Sequence, residues 1–197
     1  MSSNTLEKPN LTSRFESALV YATRLHANQV RKGSNIPYIS HLLSVAALVL
    51  EDGGSEDEAI AALLHDAIED QGGAKTREEI RQKFGEKVVN IVDGCTESEV
   101  IPKPPWKERK QEYLERMHYA SPEVRRVSQA DKLHNARSIL ADWYRDKESV
   151  WNKFKGGKEG TLWYYRSLLA VYQGNESSFL SNELEKVIIL LEQVTQE

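Results

Sequence analysis

The sequence lacks the features that mark disulfide-bonded, membrane-spanning and nucleic-acid-binding proteins. It contains a single cysteine, Cys95, so an internal disulfide and a cysteine-rich zinc site are both excluded. No apolar run approaches the roughly 20 residues that cross a bilayer, and the N-terminus has no apolar segment typical of a secretory signal. A formal net charge of −4 disfavours extended binding to DNA or RNA, although a local basic patch can still hold a small anion. These absences favour a cytoplasmic protein.

Strand signals are almost absent, whereas helical periodicity recurs along the chain. Apolar residues repeat at helical spacing near 15–22, 42–49, 60–68 and 184–191. Helix starts are marked by the capping-box sequences at 55–58 and 76–79 and by Ser121-Pro122. We therefore predict an all-α bundle of about eight to ten helices. The predicted helices lie near 11–29, 38–51, 56–70, 76–94, 106–119, 122–145, 158–174 and 179–195.

Four residues are candidate ligands for one divalent metal ion. His65-Asp66 ends a strongly helical segment, and neighbours on a helix point about 100° apart, so both can reach an ion lying between them. His41 and Asp131 interrupt apolar helical stretches, where an unpaired buried polar group would be costly. Two imidazoles and two carboxylates suit Mn²⁺, Fe²⁺, Co²⁺ or Zn²⁺. Each residue alone is also explained by core packing or a salt bridge, so the hypothesis depends on all four together.

Two further acids follow the candidate ligands. Glu69 and Asp70 lie at i+3 and i+4 from Asp66, which places three carboxylates along one helical face. Clustered acids repel one another unless a cation or a proton relieves the repulsion. An ion held by Asp66 would leave both acids near the attacking water, which they would orient or deprotonate. A solvated acidic helix end is the alternative interpretation.

The sequence segments around these residues resemble those of a known family. The segments RKGSNIPYISHLLSVA, ALLHDAIED, FGEKVVNIVDGCTE and ADKLHNARSIL are similar to the hydrolase domain of RelA/SpoT-type alarmone enzymes, which are HD-domain metal-dependent phosphohydrolases. The resemblance covers roughly residues 15–175, and a C-terminal helix is predicted at 179–195. We expect residues 1–197 to form a single HD domain. Because no synthetase domain follows, the chain resembles the stand-alone, Mesh1-like small alarmone hydrolases.

This resemblance implies an activity and a cofactor. The expected reaction removes pyrophosphate from the 3′ position of guanosine tetra- or pentaphosphate, usually with Mn²⁺. The implied metal ligands are His41, His65, Asp66 and Asp131, with Glu69 and Asp70 as the catalytic pair. The expected partner is a small phosphorylated nucleotide, with neither a membrane nor an extended nucleic acid. An oligomer is compatible with the sequence.

The same resemblance assigns five residues to the nucleotide. Arg31 would pack on the base and Lys32 would contact phosphate, as suits a planar guanidinium and a compact ammonium. Asn135 and Ser138 share a helical face with the last metal ligand and would reach the sugar or phosphate. Tyr164 would lie against the nucleotide. An exposed basic turn at 31–32 and ordinary core packing of the aromatic cluster at 163–165 are the alternatives.

Two positions depart from the family pattern. Gln71-Gly72-Gly73 stands where relatives have a turn containing threonine, and Lys132 replaces the arginine of the D-R-L-H-N motif. The first departure leaves the shape of the adjacent loop open, and the second affects a salt bridge or a substrate contact. The charged segment WKERKQEY at 106–113 is predicted to be a solvated helical face, and contact of its lysines and arginines with phosphate is the alternative.

Three other functions remain open from the sequence alone. The same site could act on an adenosine alarmone, a nucleoside monophosphate or the 2′-phosphate of NADPH. A non-catalytic nucleotide sensor built on the same fold is a second class, and a purely structural helical domain is a third. The presence of all four candidate ligands and of the Glu69-Asp70 pair favours catalysis.

Overall fold

A computed structural model describes residues 11–98, 102–174 and 178–195. The first ten residues, from which the sequence predicts that there is no secretory signal, lie outside the described residues. The described residues form ten α-helices and one 3₁₀ helix, Lys147–Lys153. The α-helices are α1 (Ser13–Leu25), α2 (Ile39–Glu51), α3 (Glu56–Leu64), α4 (Ala67–Gln71), α5 (Ala74–Phe84), α6 (Glu86–Cys95), α7 (Trp106–Tyr119), α8 (Pro122–Asp146), α9 (Gly157–Gln173) and α10 (Phe179–Val194). Only an isolated bridge between Val30 and Pro37 adds β pairing within these ranges. The predicted all-α fold is confirmed.

Helices α3 and α8 lie at the centre of the bundle. Every residue from Ala59 to Leu64 in α3 is fully buried, because α1, α2, α6 and α8 pack around it. Helix α8 in turn packs against α2, α6 and α10. A helix that is apolar all round lies in the interior of a protein. The residue that follows α3, His65, is therefore delivered into the middle of the fold. None of the helices in the described ranges is long and apolar enough to cross a membrane.

Cap geometry explains where several helices begin. The hydroxyl of Ser55 accepts from the backbone N–H of Glu58, whose carboxylate accepts from the N–H of Ser55, so the predicted capping box is confirmed. The predicted helix start at Ser121-Pro122 is confirmed as well. The predicted capping box at Thr76 is wrong, because α5 begins two residues earlier and the Thr76 hydroxyl donates to the carbonyl of Gln71 at 2.8 Å.

Two segments that were each predicted to be one helix form two helices in the structure. The segment predicted at 56–70 is interrupted after α3, and His65-Asp66 occupy the turn before α4. The segment predicted at 76–94 is interrupted at Gly85, whose φ of 93° suits glycine. The apolar periodicity continues through both interruptions because the halves bury side chains in the same core. The first helix ends at Leu25, four residues earlier than the predicted 29.

A close approach between α6 and α8 yields a stability prediction at Gly94. A Cβ atom at this position would lie 2.6 and 2.8 Å from the two methyl carbons of Val124. In a helix interior, alanine normally stabilises the fold by about 1 kcal/mol relative to glycine. Overpacking a core, however, destabilises it by about 1–3 kcal/mol. We expect Gly94→Ala to lower the free energy of unfolding in urea denaturation by up to about 2 kcal/mol. Adding Val124→Ala should restore part of the loss. A more stable single variant would contradict the close approach.

Candidate active site and metal centre

The four candidate metal ligands come from three places in the fold and converge on one point. His41 lies in the first turn of α2, His65 and Asp66 lie in the turn between α3 and α4, and Asp131 lies in the middle of α8. Three of them are buried and Asp66 is half-buried. The prediction that His65 and Asp66 share one continuous helix is wrong, because the chain turns between them. That turn still directs both side chains to the same point.

The ligand atoms are spaced like the donors around a single ion. Nε2 of His65 lies 3.0 Å from Oδ2 of Asp66 and 3.6 Å from Oδ1 of Asp131. Nε2 of His41 lies 3.2 Å from Oδ1 of Asp131 and 3.7 Å from Oδ2 of Asp66. Bonds of about 2.1 Å that meet at about 90–110° would place neighbouring donor atoms roughly 3.0–3.4 Å apart. The spacing therefore fits one divalent ion.

Hydrogen bonds on the far side of each imidazole determine which nitrogen faces this point. Nδ1 of His65 lies 2.8 Å from the carbonyl oxygen of Ala62, to which it donates. Nδ1 of His41 lies 2.7 Å from Nδ1 of His134. Burial, with the nearby His41 and Arg31, lowers the pKa of His134 to about 4, so its neutral ring can accept the bond. With both Nδ1 atoms engaged, the Nε2 atoms are the ring nitrogens left to bind a metal, and within the described ranges they have no hydrogen-bond partner.

The charges around the same point favour a bound cation. Burial alone would lower the pKa of His65, but Asp66 and Asp131 raise it well above its usual range. Burial would raise the pKa of Asp131, but the ammonium of Lys132 together with His41 and His65 holds that pKa well below its usual range. The carboxylates are therefore ionised, and they stabilise a positive charge between the imidazoles. A metal ion can take the place of the proton on His65.

Lys132, which replaces the family arginine, forms an ion pair with a candidate ligand. Its Nζ donates to Oδ2 of Asp131 at 2.6 Å and lies 4.9 Å from the ring centre of Tyr113. The side-chain amide of Asn135 donates to Oδ1 of Asp131 at 2.5 Å. Two donors thus hold the Asp131 carboxylate, leaving Oδ1 directed toward the imidazoles. Lysine at this position preserves a salt bridge.

Glu69 and Asp70 lie in α4, directly after the turn that carries His65 and Asp66, but their surroundings differ. Oδ2 of Asp70 accepts a hydrogen bond from the amide of Gln29 at 2.8 Å. Desolvation by the surrounding protein, together with the negative charge of Asp66, raises the pKa of Asp70. Oε1 of Glu69 accepts from Nζ of Lys103 at 2.6 Å, and its Oε2 accepts from the backbone N–H of residue 97 at 3.0 Å. Glu69 is thus tied to the segment before α7, whereas Asp70 faces an amide.

The loop at 29–38 carries the predicted basic pair toward the same site. The N–H of Arg31 donates to the carbonyl of Ile36 at 2.8 Å, which closes the loop. The guanidinium of Arg31 donates to Oδ1 of Asn135 at 2.7 Å and lies 5.7 Å from the ring centre of Tyr38. The hydroxyl of Tyr38 donates to Oδ2 of Asp66 at 2.5 Å. The loop is therefore fastened to two of the elements that supply the candidate ligands.

A cavity of about 720 Å³ joins these groups. All five predicted nucleotide-binding residues line it: Arg31, Lys32, Asn135, Ser138 and Tyr164. The hydroxyl of Ser138 donates to the carbonyl of His134 at 2.9 Å, within its own helix. The hydroxyl of Tyr164 is buried and has no hydrogen-bond partner in the part of the chain that the structure describes. Tyr164 thus has polar capacity left for a ligand, whereas the Ser138 proton is already donated.

The cavity is more basic than the chain as a whole. Eight lysines and arginines and six acids line it, whereas the whole chain has 26 basic and 30 acidic residues. Besides the pair at 31–32, the basic residues are Lys103, Arg109, Lys110, Lys132, Lys153 and Lys155. A concave site with this charge suits a small polyanion.

Several residues of the site were missed by the sequence prediction. For the segment at 106–113 a solvated face was preferred to contact with phosphate, but Arg109 and Lys110 line the cavity, and both pair with Glu97. Gln29 and Tyr38, which hold Asp70 and Asp66, were not singled out. A hydrophobic pattern gives no signal for them, because their roles depend on contacts between distant segments.

Comparison with known proteins found a matching family and similar sequences. The model of the HD domain family matches residues 18–162. The chain is 40% identical over 122 residues to guanosine-3′,5′-bis(diphosphate) 3′-pyrophosphohydrolase MESH1 of Xenopus tropicalis, and 36% identical over 122 residues to MESH1 of Homo sapiens. Each alignment covers 60% of this chain and 65% of the relative, slightly less than two thirds of its length. A guanosine-3′,5′-bis(diphosphate) 3′-pyrophosphohydrolase of Aquifex aeolicus is 35% identical over 134 residues, which are 66% of this chain and 18% of that relative.

Solved structures share the fold. A metazoan ortholog of SpoT that hydrolyses ppGpp matches with a TM-score of 0.73 and 22% identity, over 91% of this chain and 96% of that one. The protein lmo0812 of Listeria monocytogenes matches with a TM-score of 0.67 and 30% identity, over 80% of this chain and 99% of that one. The helical fold, the cluster of His41, His65 and Asp66 and the family match over most of the sequence agree, and the chain belongs to the HD domain family.

Proposed function

We propose that this chain is a metal-dependent hydrolase that removes pyrophosphate from the 3′ position of guanosine tetra- or pentaphosphate. One observation carries the proposal: His41, His65, Asp66 and Asp131 converge next to Glu69 and Asp70, at the side of a basic cavity. The similarity to the MESH1 pyrophosphohydrolases supports the substrate class. We also propose that the described helices belong to a single HD domain.

The proposed cofactor is Mn²⁺, and Fe²⁺, Co²⁺ and Zn²⁺ suit the same donors. The two Nε2 atoms and one oxygen of each aspartate would hold the ion. When bound, such an ion acts as a Lewis acid toward a phosphoryl oxygen and makes water a stronger nucleophile at neutral pH. The mixture of two imidazoles and two carboxylates is consistent with a borderline or harder divalent ion.

The residues of the chain would divide the remaining work. In the proposed reaction a water oxygen bonds to the phosphorus nearest the ribose, and the bond from that phosphorus to the 3′ oxygen breaks. Asp70, whose pKa is raised, would accept the proton of the water. The proton taken up by Asp70 returns through solvent to the 3′ oxygen, and the products are pyrophosphate and GDP, or GTP from the pentaphosphate. Glu69 would orient the site through its bonds to Lys103 and to the backbone at residue 97.

The nucleotide would lie between two basic groups of side chains. Arg31 would stack on the base, with Lys32 near phosphate, in the loop fastened by Tyr38 and Asn135. Lys103 lies beside the catalytic pair, within reach of the diphosphate. Several positive charges around one polyanion stabilise the charge that develops as the phosphorus–oxygen bond breaks.

A panel of substrates tests the proposed function directly. With added Mn²⁺, guanosine tetraphosphate is expected to yield pyrophosphate and GDP in equal amounts, and EDTA is expected to stop the reaction. Pyrophosphate and free phosphate are measured separately. The panel includes an adenosine alarmone, NADPH and nucleoside monophosphates. Release of free phosphate alone, from monophosphates or NADPH, would overturn the proposed substrate. Binding of guanosine tetraphosphate without its consumption would indicate a sensor instead.

A further inference from the structure

Gln71 ends α4 at the position where the sequence departs from the family pattern. Its carbonyl accepts the hydroxyl of Thr76 at 2.8 Å, and Gly72 and Gly73 follow with φ values of 134° and 57°. A Cβ atom on Gly72 would lie 2.7 Å from the Thr76 hydroxyl, so glycine is needed for this contact. The turn therefore fixes the backbone of Gln71 and directs its side chain back toward the loop that follows α1.

The side chain of Gln71 contacts a glutamine that holds a catalytic acid. Nε2 of Gln71 donates to Oε1 of Gln29 at 2.5 Å, and Nε2 of Gln29 donates to Oδ2 of Asp70 at 2.8 Å. Nδ1 of His26 also lies 2.6 Å from Oε1 of Gln29. The ring of His26 is stacked on that of Tyr38, with centroids 5.3 Å apart. Three side chains, those of Gln71, Asp70 and His26, thus contact the amide of Gln29.

The donors in this network decide which way the amide of Gln29 faces. A glutamine side chain carries one acceptor oxygen and one donor nitrogen, and rotation exchanges them. In the structure the NH₂ group of Gln71 faces Oε1 of Gln29, and a donor at this place favours that orientation of the Gln29 amide. His26 can donate its Nδ1 proton to the same oxygen. The NH₂ group of Gln29 is then left to face Asp70, where an ionised carboxylate requires a donor.

We propose that Gln71 is a positioning residue, which acts through Gln29 to orient the carboxylate of Asp70 for proton transfer. The proposal rests on the proposed hydrolase function. Gln29 also lies at the base of the loop that carries Arg31, since its carbonyl accepts the N–H of Tyr38 at 2.9 Å. The same side chain therefore joins the nucleotide-binding loop to the catalytic helix.

Gln71→Glu removes the donor while keeping the length of the side chain. Two oxygens would then face each other, and the amide of Gln29 would turn, presenting its own oxygen to Asp70. We expect kcat to fall about 10- to 100-fold, as for other outer hydrogen-bond partners of catalytic groups. KM for guanosine tetraphosphate and the affinity for Mn²⁺ are expected to stay within about twofold, because neither the basic residues nor the metal ligands are touched. A merely structural role would not separate kcat from KM in this way.

The matched control is Gln82→Glu, which adds the same charge to an exposed glutamine of α5. A second variant, Gln71→Leu, removes the donor without adding charge and should also lower kcat. The double variant Gln29→Leu/Gln71→Leu should be no worse than Gln29→Leu alone, because Gln71 acts only through Gln29. Additive losses would overturn the proposal.

Nuclear magnetic resonance of the Gln29 side-chain amide gives a readout that does not depend on turnover. Its two NH₂ protons should exchange slowly in the wild-type protein and should shift in Gln71→Glu. Unchanged kcat and unchanged amide signals in that variant, with an active wild-type enzyme, would refute the positioning role alone. A wild-type protein that consumes no guanosine tetraphosphate with Mn²⁺ would instead refute the proposed function, and with it the role of Gln71 in proton transfer.

Discussion

Replacing Asp131 with asparagine is expected to abolish the stabilising response to Mn²⁺ and to lower turnover of guanosine tetraphosphate by at least about 100-fold. Lewis-acid stabilisation by a bound ion contributes several kcal/mol, and about 1.4 kcal/mol corresponds to a factor of ten in rate. Oδ1 of Asp131 lies between the two imidazole Nε2 atoms, at 3.2 and 3.6 Å. Removing its charge therefore removes a donor at the centre of the site.

The neighbours of Asp131 make asparagine a stringent replacement. Lys132 and Asn135 both donate to the carboxylate, at 2.6 and 2.5 Å. An asparagine side chain has only one oxygen, and the ammonium of Lys132 would donate to it. The NH₂ group of the asparagine would then face the imidazoles. The variant should thus lose metal binding although its size is almost unchanged.

The measurement is thermal or urea unfolding with and without Mn²⁺. An ion present at 100 times its dissociation constant stabilises the folded state by about 2.7 kcal/mol, and Asp131→Asn should lose that gain. Asp57→Asn, which affects the ion pairs of Asp57 with Arg14 and Lys87, away from the candidate site, is the control. A folded Asp131→Asn protein that keeps the full response to Mn²⁺ would exclude Asp131 as a ligand.

The convergence of the four candidate ligands was predictable because their local sequence is distinctive. His41 and Asp131 were found as polar residues inside apolar helices, and the structure brings them within 3.2 Å of each other. The break at His65 was not predictable, because the apolar pattern continues from Ile60 through Ile68. Periodicity reports which side chains are buried, and both α3 and α4 bury theirs in the same core. The turn between them is stabilised by tertiary contacts, such as the bond from Tyr38 to Asp66.

The basic side of the cavity could not be predicted for a different reason. A run such as WKERKQEY has the same charge pattern whether its helix faces solvent or a ligand site. The direction in which this helix faces is set by Trp106, whose ring packs against Gly156. A Cβ atom on Gly156 would lie only 2.7 Å from that ring. This contact joins the start of α7 to the start of α9 and places Lys110 4.5 Å from the ring centre of Tyr164. Such information lies in the pairing of distant segments.

The second large effect is expected at the proposed catalytic pair, where Asp70→Asn should lower kcat by about 100- to 10,000-fold, the range of general acid–base catalysis. Desolvation and the charge of Asp66 raise the pKa of Asp70, which brings its proton affinity closer to what a base needs at neutral pH. Asparagine keeps the shape of the side chain but cannot accept the proton. Affinity for Mn²⁺, measured by calorimetry, should be retained because the four ligands are unchanged.

Comparing Asp70→Asn with Glu69→Gln separates the two acids. Glu69→Gln should also retain the metal and lose turnover, but by a different route, because Oε1 of Glu69 holds Lys103 at 2.6 Å and Oε2 holds the backbone at residue 97. Without that ion pair, Lys103 is no longer held at the place where the diphosphate is expected. KM should therefore rise as kcat falls. Glu78→Gln, on the exposed face of α5, is the control. Unchanged turnover in Glu69→Gln would exclude Glu69 from catalysis. Full activity in Asp70→Asn would mean that another group accepts the proton, and would leave the amide of Gln29 without a catalytic partner.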